Sequence, residues 1–232
     1  MRYRNYALAI LFVSLQFMLA GSARADETSE GIERGNEAFH RGQYEYAIFL
    51  YRGVLAWHGP QQARAHFNIG VCQHKLGRLQ EAVSEYRVAI KARDGKYPLA
   101  CYALGLALQN LGERAEAMEA FRQCVKASGG KHAEAIFELA LAAHRDGKFE
   151  TAVEYYHRAI KESKDRLPAC HNNLGVILAN HGDLDEAMRE FRNALKGSKN
   201  SLVEARENLE RCRRAESSPL LAALPARSLA CE

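Results

Sequence analysis

The chain has 232 residues, 47% hydrophobic and 26% charged, with 17 Gly and only 5 Pro. These values exclude disordered, collagen-like and disulfide-dense miniprotein classes, and the length suffices for one or two domains with a real core. A net charge of +4 is too mild to mark a nucleic-acid binder, which concentrates Lys and Arg on one face.

The chain opens with Arg2 and Arg4, then an apolar run over Ala7–Ala20 broken only by Ser14 and Gln16. Gly21-Ser22-Ala23-Arg24-Ala25 follows, with small residues at 23 and 25. A basic start, a short apolar stretch and an A-x-A ending predict a secretory signal peptide cut after Ala25. The competing reading is a retained membrane anchor, but the uncharged stretch Asn5–Ala23 is 19 residues, barely a span. Cleavage leaves 207 residues with 29 basic against 28 acidic side chains, a net +1. The expected location is therefore outside the cytoplasm, in a bacterial periplasm, or at a membrane if the segment is kept.

Beyond this segment the chain repeats every 35 residues. Gly35, Gly70, Gly105, Ala140 and Gly175 form one column, and Gly42, Gly77, Gly112, Gly147 and Gly182 a second. Ala47, Ala82, Ala117, Ala152 and Ala187 form a third. Tyr51, Tyr86, Phe121, Tyr156 and Phe191 form a fourth, purely aromatic one, and Val54, Ala89, Cys124, Ala159 and Ala194 a fifth. Each copy has apolar residues at helical spacing on either side of its second-column Gly. So tight a turn forces the two helices antiparallel. The small residue of the first helix is expected to face the Ala of the second, letting the backbones approach. The aromatic, one turn further on, fills the wider gap. The turn Gly is expected at positive φ as a C-cap. Pro60, Pro98 and Pro168 fall at copy boundaries, where a helix ends or begins.

This pattern resembles the tetratricopeptide repeat, a helix–turn–helix unit of roughly 34 residues. The clearest copy is His171-Asn172-Asn173-Leu174-Gly175, continuing through Gly182-Asp183-Leu184-Asp185-Glu186-Ala187 to Phe191-Arg192-Asn193-Ala194-Leu195. The copies run over 28–62, 63–97, 98–132, 133–167 and 168–202, followed by a polar capping helix over 203–214, as a solenoid requires, and a tail over 215–232. In this sequence the large aromatic that the family carries near each copy's start is replaced by Gly31, His66, Cys101, Ile136 and His171. The resemblance implies an all-α, right-handed superhelical solenoid of antiparallel helix pairs whose concave face is lined by each copy's first helix.

The family's groove positions place Phe67, Val71, Tyr102, Leu106, Phe137 and Leu141 in one apolar strip, with Asn68, Asn172 and Asn173 beside it. An apolar centre with a polar rim is the anatomy of a recognition site. Related proteins hold a peptide backbone with an Asn at the place of Asn68 and Asn173, since an amide side chain donates and accepts at once. Two other readings stay open: burial of the strip between stacked helices, and coverage by the chain's own Leu220–Leu224.

Six cysteines stand at 72, 101, 124, 170, 212 and 231, with no C-x-x-C pair. Export makes disulfides possible. Cys101 and Cys124, near the open end of one helical hairpin, are the pair expected to meet across the core, as a disulfide or as buried thiols. The nine His form no H-E-x-x-H cluster, and no nucleophile elbow, phosphate loop or dinucleotide fingerprint occurs. No metal, cofactor, nucleic-acid partner or enzymatic activity is expected. The expected role is a binding scaffold or assembly factor for a protein or peptide segment. Alternatives are an accessory subunit of a separate enzyme and a self-associating structural protein.

Overall fold

The computed structural model describes residues 27–57, 59 and 61–217. The signal segment 1–25, Pro60 and Leu220–Leu224 lie outside the described residues. Helix α1 covers 27–40. It is followed by α2 (Tyr44–Leu55), α3 (Gln62–Lys75), α4 (Leu79–Lys91), α5 (Pro98–Asn110), α6 (Arg114–Ala127), α7 (Ala133–Arg145), α8 (Phe149–Ser163), α9 (Pro168–His181), α10 (Leu184–Gly197) and α11 (Val203–Ser217). There is no strand among the described residues, so the protein is an all-α repeat of helix pairs. It divides into two compact units, Met1–Ala117 and Met118–Glu232.

Local chemistry sets the helix ends. The five turn glycines Gly42, Gly77, Gly112, Gly147 and Gly182 all have positive φ, between 71° and 95°, as the sequence predicts. At each, the next residue's N–H reaches back five residues, as in Arg78 N to Gln73 O at 2.9 Å and Asp183 N to Leu178 O at 3.0 Å. These bonds occupy carbonyls that the helix end would otherwise orphan. Pro98 and Pro168 occupy the first turns of α5 and α9, where a missing N–H costs nothing. Between copies the backbone takes paired left-handed residues at a 35-residue interval: Gly129 and Gly130, Lys164 and Asp165, Lys199 and Asn200, with φ of 51–85°. Asp94 and Gly95 do the same at 50° and 77°.

In the first unit, α1, α2 and α3 share a core of Ile32, Ala38, Ala47, Ile48, Tyr51, Val54, Ala65, Ile69 and Cys72. In the second, one core is built from α7, α8 and α9 around Ile136, Ala140, Tyr156 and Leu174. A further one joins α9, α10 and α11 around Val176, Phe191 and Leu209. The small-residue column makes room for the aromatic of the second helix as well as for the Ala. A Cβ built on Gly35 would lie 2.3 Å from the Tyr51 ring, on Gly70 2.6 Å from Tyr86, and on Gly175 2.7 Å from Phe191. The glycine is thus the floor on which the aromatic of the second helix rests. The Ala82 backbone oxygen lies 3.3 Å from Gly70's built Cβ. None of the described helices is long and apolar enough to cross a membrane.

Candidate functional site

The residues expected to face a groove in the first unit sit on α3 and α5. Phe67, Asn68, Val71, Tyr102 and Leu106 are all half-buried. Phe67 leans on aromatic side chains of its own unit, its ring centroid 5.9 Å from Tyr86 and 5.3 Å from Tyr97, both tilted. Asn68 Nδ2 donates to Asn36 Oδ1 at 3.2 Å, and the same oxygen accepts the Tyr51 hydroxyl at 2.8 Å. Burial pushes the Tyr51 hydroxyl up to about 12, so it stays a donor. At the helix ends Asn110 Nδ2 donates to His74 Nε2 at 3.2 Å. Burial, with Lys75 beside it, lowers the pKa of His74 and keeps that nitrogen able to accept. This face therefore has apolar rings and methyls flanked by amides whose orientation is set from below.

The second unit differs. Phe137 and Leu141 are each 6% exposed and belong to the core with Tyr156, whose ring lies 6.1 Å from that of Phe137. Ten of the thirteen residues of α7 are buried, on every side of the helix. Asn172 and Asn173 are fully buried. Asn208 Nδ2 donates to Asn172 Oδ1 at 3.1 Å, and Asn172 Nδ2 to Asn173 Oδ1 at 3.2 Å. The expected apolar strip is therefore not uniform. In α7 and α9 the expected site residues are interior packing and a buried amide chain, and the interior reading holds there. A buried amide stays only where its hydrogen bonds are satisfied.

Cys101 and Cys124 are both buried in the structure. Cys124 stands in the column of Val54, Ala89, Ala159 and Ala194, and burial pushes the Cys101 thiol up to about 11. A thiol kept protonated by an apolar surround behaves as a hydrophobe and not as a nucleophile. Cys72 is likewise pushed up to about 12 by burial.

Sequence reading missed one recurring device. His66 Nδ1 meets Glu85 Oε2 at 2.7 Å, and His171 Nδ1 meets Glu190 Oε2 at 2.7 Å. Each pair clasps the first helix of a copy to its second, 19 residues apart, and the two clasps are three periods apart in the chain. His171 and Glu190 are the more buried. Burial alone would raise the Glu190 pKa, but the His171 hydrogen bond and charge, with Asn193 and Arg189, outweigh it and lower it. The histidines at the start of these copies, where the family has a large aromatic, thus have a structural partner. Their signal was the His/Glu pair at one spacing in two copies. Beside His171 is a surface hollow of about 310 Å³ lined by Asp165, Asn193, Lys196 and Gly197. No cluster of three or more His, Cys, Asp or Glu placed to hold a metal occurs among the described residues.

Comparison with known proteins places this architecture. The family pattern described as tetratricopeptide repeat matches residues 32–98, 102–168 and 147–201. Among solved structures, MamA from Desulfovibrio magneticus RS-1 is 20% identical, with a TM-score of 0.61 over 76% of this chain and 98% of that one. Pseudomonas aeruginosa pilF is 18% identical, with a TM-score of 0.67 over 86% and 96%. YrrB, described as a TPR protein with an unusual peptide-binding site, is 17% identical, with a TM-score of 0.60 over 87% and 97%. At such identities the likeness is one of fold. The family pattern spans well over half of the 232 residues, and the chain belongs to the tetratricopeptide repeat family.

Proposed function

We propose that this chain is an exported, non-enzymatic scaffold that receives a segment of another protein on the α1, α3 and α5 face of its first unit. The observation that carries the reading is a contrast in burial. The aromatics that seal the helix pairs, Tyr51 and Tyr86, are 1% exposed, whereas Phe67, Val71, Tyr102 and Leu106 are left half-buried on the neighbouring face. Apolar side chains of a ligand gain by covering such a strip, and aromatic anchors dominate interfaces of this kind. Asn68 supplies an amide whose carbonyl side is not used by Asn36, so it can accept from a backbone N–H of the bound segment. The peptide-binding site named for YrrB supports the same use of the fold. Export rests on the Arg2-to-Ala25 pattern, with cleavage after Ala25 and a periplasmic mature chain.

The double substitution Phe67→Ala with Tyr102→Ala tests it. Removing two partly exposed rings is expected to weaken partner binding at least tenfold, since hot-spot aromatics are worth about 2 kcal/mol or more each. The helical circular dichroism should be unchanged. Unaltered recovery of bound protein with an intact fold contradicts the reading. Edman sequencing of the exported protein should begin at Asp26.

A further inference from the structure

Helix α2 is apolar on two opposite sides. Ala47, Ile48, Tyr51 and Val54 face the core. On the far side, Tyr46 is 49% exposed, Phe49 69% and Trp57, two residues past the helix, 46%. With Gly53 between Phe49 and Trp57, these form one stripe at intervals of three, four and four, a single line along a helix. Tyr46 and Phe49 stack, their centroids 6.3 Å apart and their planes 13° from parallel.

The repeat supplies an internal control. At the place of Phe49 the other copies carry Ser84, Glu119, Glu154 and Arg189, and at the place of Tyr46 they carry three Glu and Thr151. That outer row is polar in four copies and aromatic in one, so the repeat fold does not require aromatics there. Gly53 is the second oddity. It sits inside a helix, where Gly is unfavourable, and a Cβ on it would meet nothing within 4 Å. No packing among the described residues calls for it. Val88, Gln123, Arg158 and Asn193 stand at its place elsewhere. Its effect is a notch whose walls are Phe49 and Trp57, four residues to either side. A bilayer has no use for such a notch, but a ring or helix backbone packing closely does.

We infer that the outer face of α2 is a self-association surface, on which two copies of this chain pair with their α2 helices antiparallel about a two-fold axis at Gly53. The stripe is self-complementary in that arrangement. Phe49 and Trp57 are equidistant from Gly53, so each copy's Phe49 meets the other's Trp57, as an isologous contact requires. The area sets the strength. A buried aromatic covers about 150–250 Å², so at their present exposures the three rings offer roughly 300 Å² a side, well below the ~800 Å² of a standard interface. The dimer is therefore weak and concentration-dependent. This surface lies on the helix opposite the groove-lining ones, and the inference does not rest on the groove reading.

Trp57 is the chain's single tryptophan, so its fluorescence reports on this surface. Sedimentation velocity and emission spectra are measured together on protein from its native compartment, across a dilution from hundreds of micromolar to about 1 µM. The expected result is a weight-average mass falling from two chains toward one, with a red shift of Trp57 emission over the same range. Gly53→Arg, the residue copy four carries, and Phe49→Glu, which copies three and four carry, are each expected to weaken the dimer at least tenfold while keeping the helical signal. A wild-type chain that stays monomeric throughout overturns the inference. So does association undiminished in Gly53→Arg, or monomeric wild type that instead sediments with phosphatidylglycerol vesicles. Phe67→Ala with Tyr102→Ala should leave this dimer unchanged, so the two readings fail separately.

Discussion

Glycine does opposite work at two positions of neighbouring copies. At Gly70 a methyl group would come within 2.7 Å of two Tyr86 ring carbons and 3.3 Å of the Ala82 oxygen, and a buried ring has nowhere to move. Gly70→Ala should therefore cost about 1–3 kcal/mol, the usual range for overpacking. Gly53→Ala meets no neighbour and should stabilise the monomer by about 0.4–1 kcal/mol through the unfolded chain. Guanidinium unfolding midpoints at low protein concentration check both, and shifts of the same sign would contradict the steric account. The His171–Glu190 clasp makes a pH prediction. The Glu190 pKa is lower in the folded protein, so its contribution is present above the unfolded carboxylate value of about 4.3 and is lost as pH falls through the folded value. Wild type should accordingly lose its stability advantage over Glu190→Gln on acidification below about pH 4.3. A constant difference between pH 7 and pH 3 would contradict the clasp.

Helix pairs were the most legible level. The glycine turn, the small residue and the ring that rests on it lie within about one period, and steric rules act over that distance regardless of the rest of the chain. Gly77 and Gly182 adopt the backbone that their column implies, and Pro98 and Pro168 start the helices they precede. The groove face was only half legible. Phe67 and Phe137 occupy equivalent places in their copies, and the pattern alone treats them alike. Burial separates them, because it depends on everything packed around α7 and not on the copy's own 35 residues. Asn173 was ambiguous for the same reason: an amide at that place serves a ligand if exposed, and Asn172 if buried. The difference is measurable. Phe137→Ala should cost about 3–5 kcal/mol, as for a buried ring, and Phe67→Ala less than half as much. Equal losses in chemical denaturation would contradict the assignment of one ring to the interior and the other to the surface.

For the whole molecule, the tetratricopeptide repeat fold is that of a protein-interaction scaffold. Most cysteines are small core residues, with thiols pushed up to about 12 at Cys72 and about 11 at Cys101, and the paired histidines hold helices together. The outer positions equivalent to Tyr46 and Phe49 are polar in α4, α6, α8 and α10, in contrast to the half-buried strip on α3 and α5 and the aromatic stripe on α2 on which partners are proposed. The first is the face proposed to receive another protein, and the second the face proposed to receive a second copy of this chain. The central claim concerns the first, and quantitative pull-down from the native compartment tests it most directly. Wild type, Phe67→Ala with Tyr102→Ala, and Gly53→Arg are compared at matched fold and concentration. The account expects the double variant to lose at least nine-tenths of the recovered partner and Gly53→Arg to retain it. Full recovery by the correctly folded double variant would contradict it.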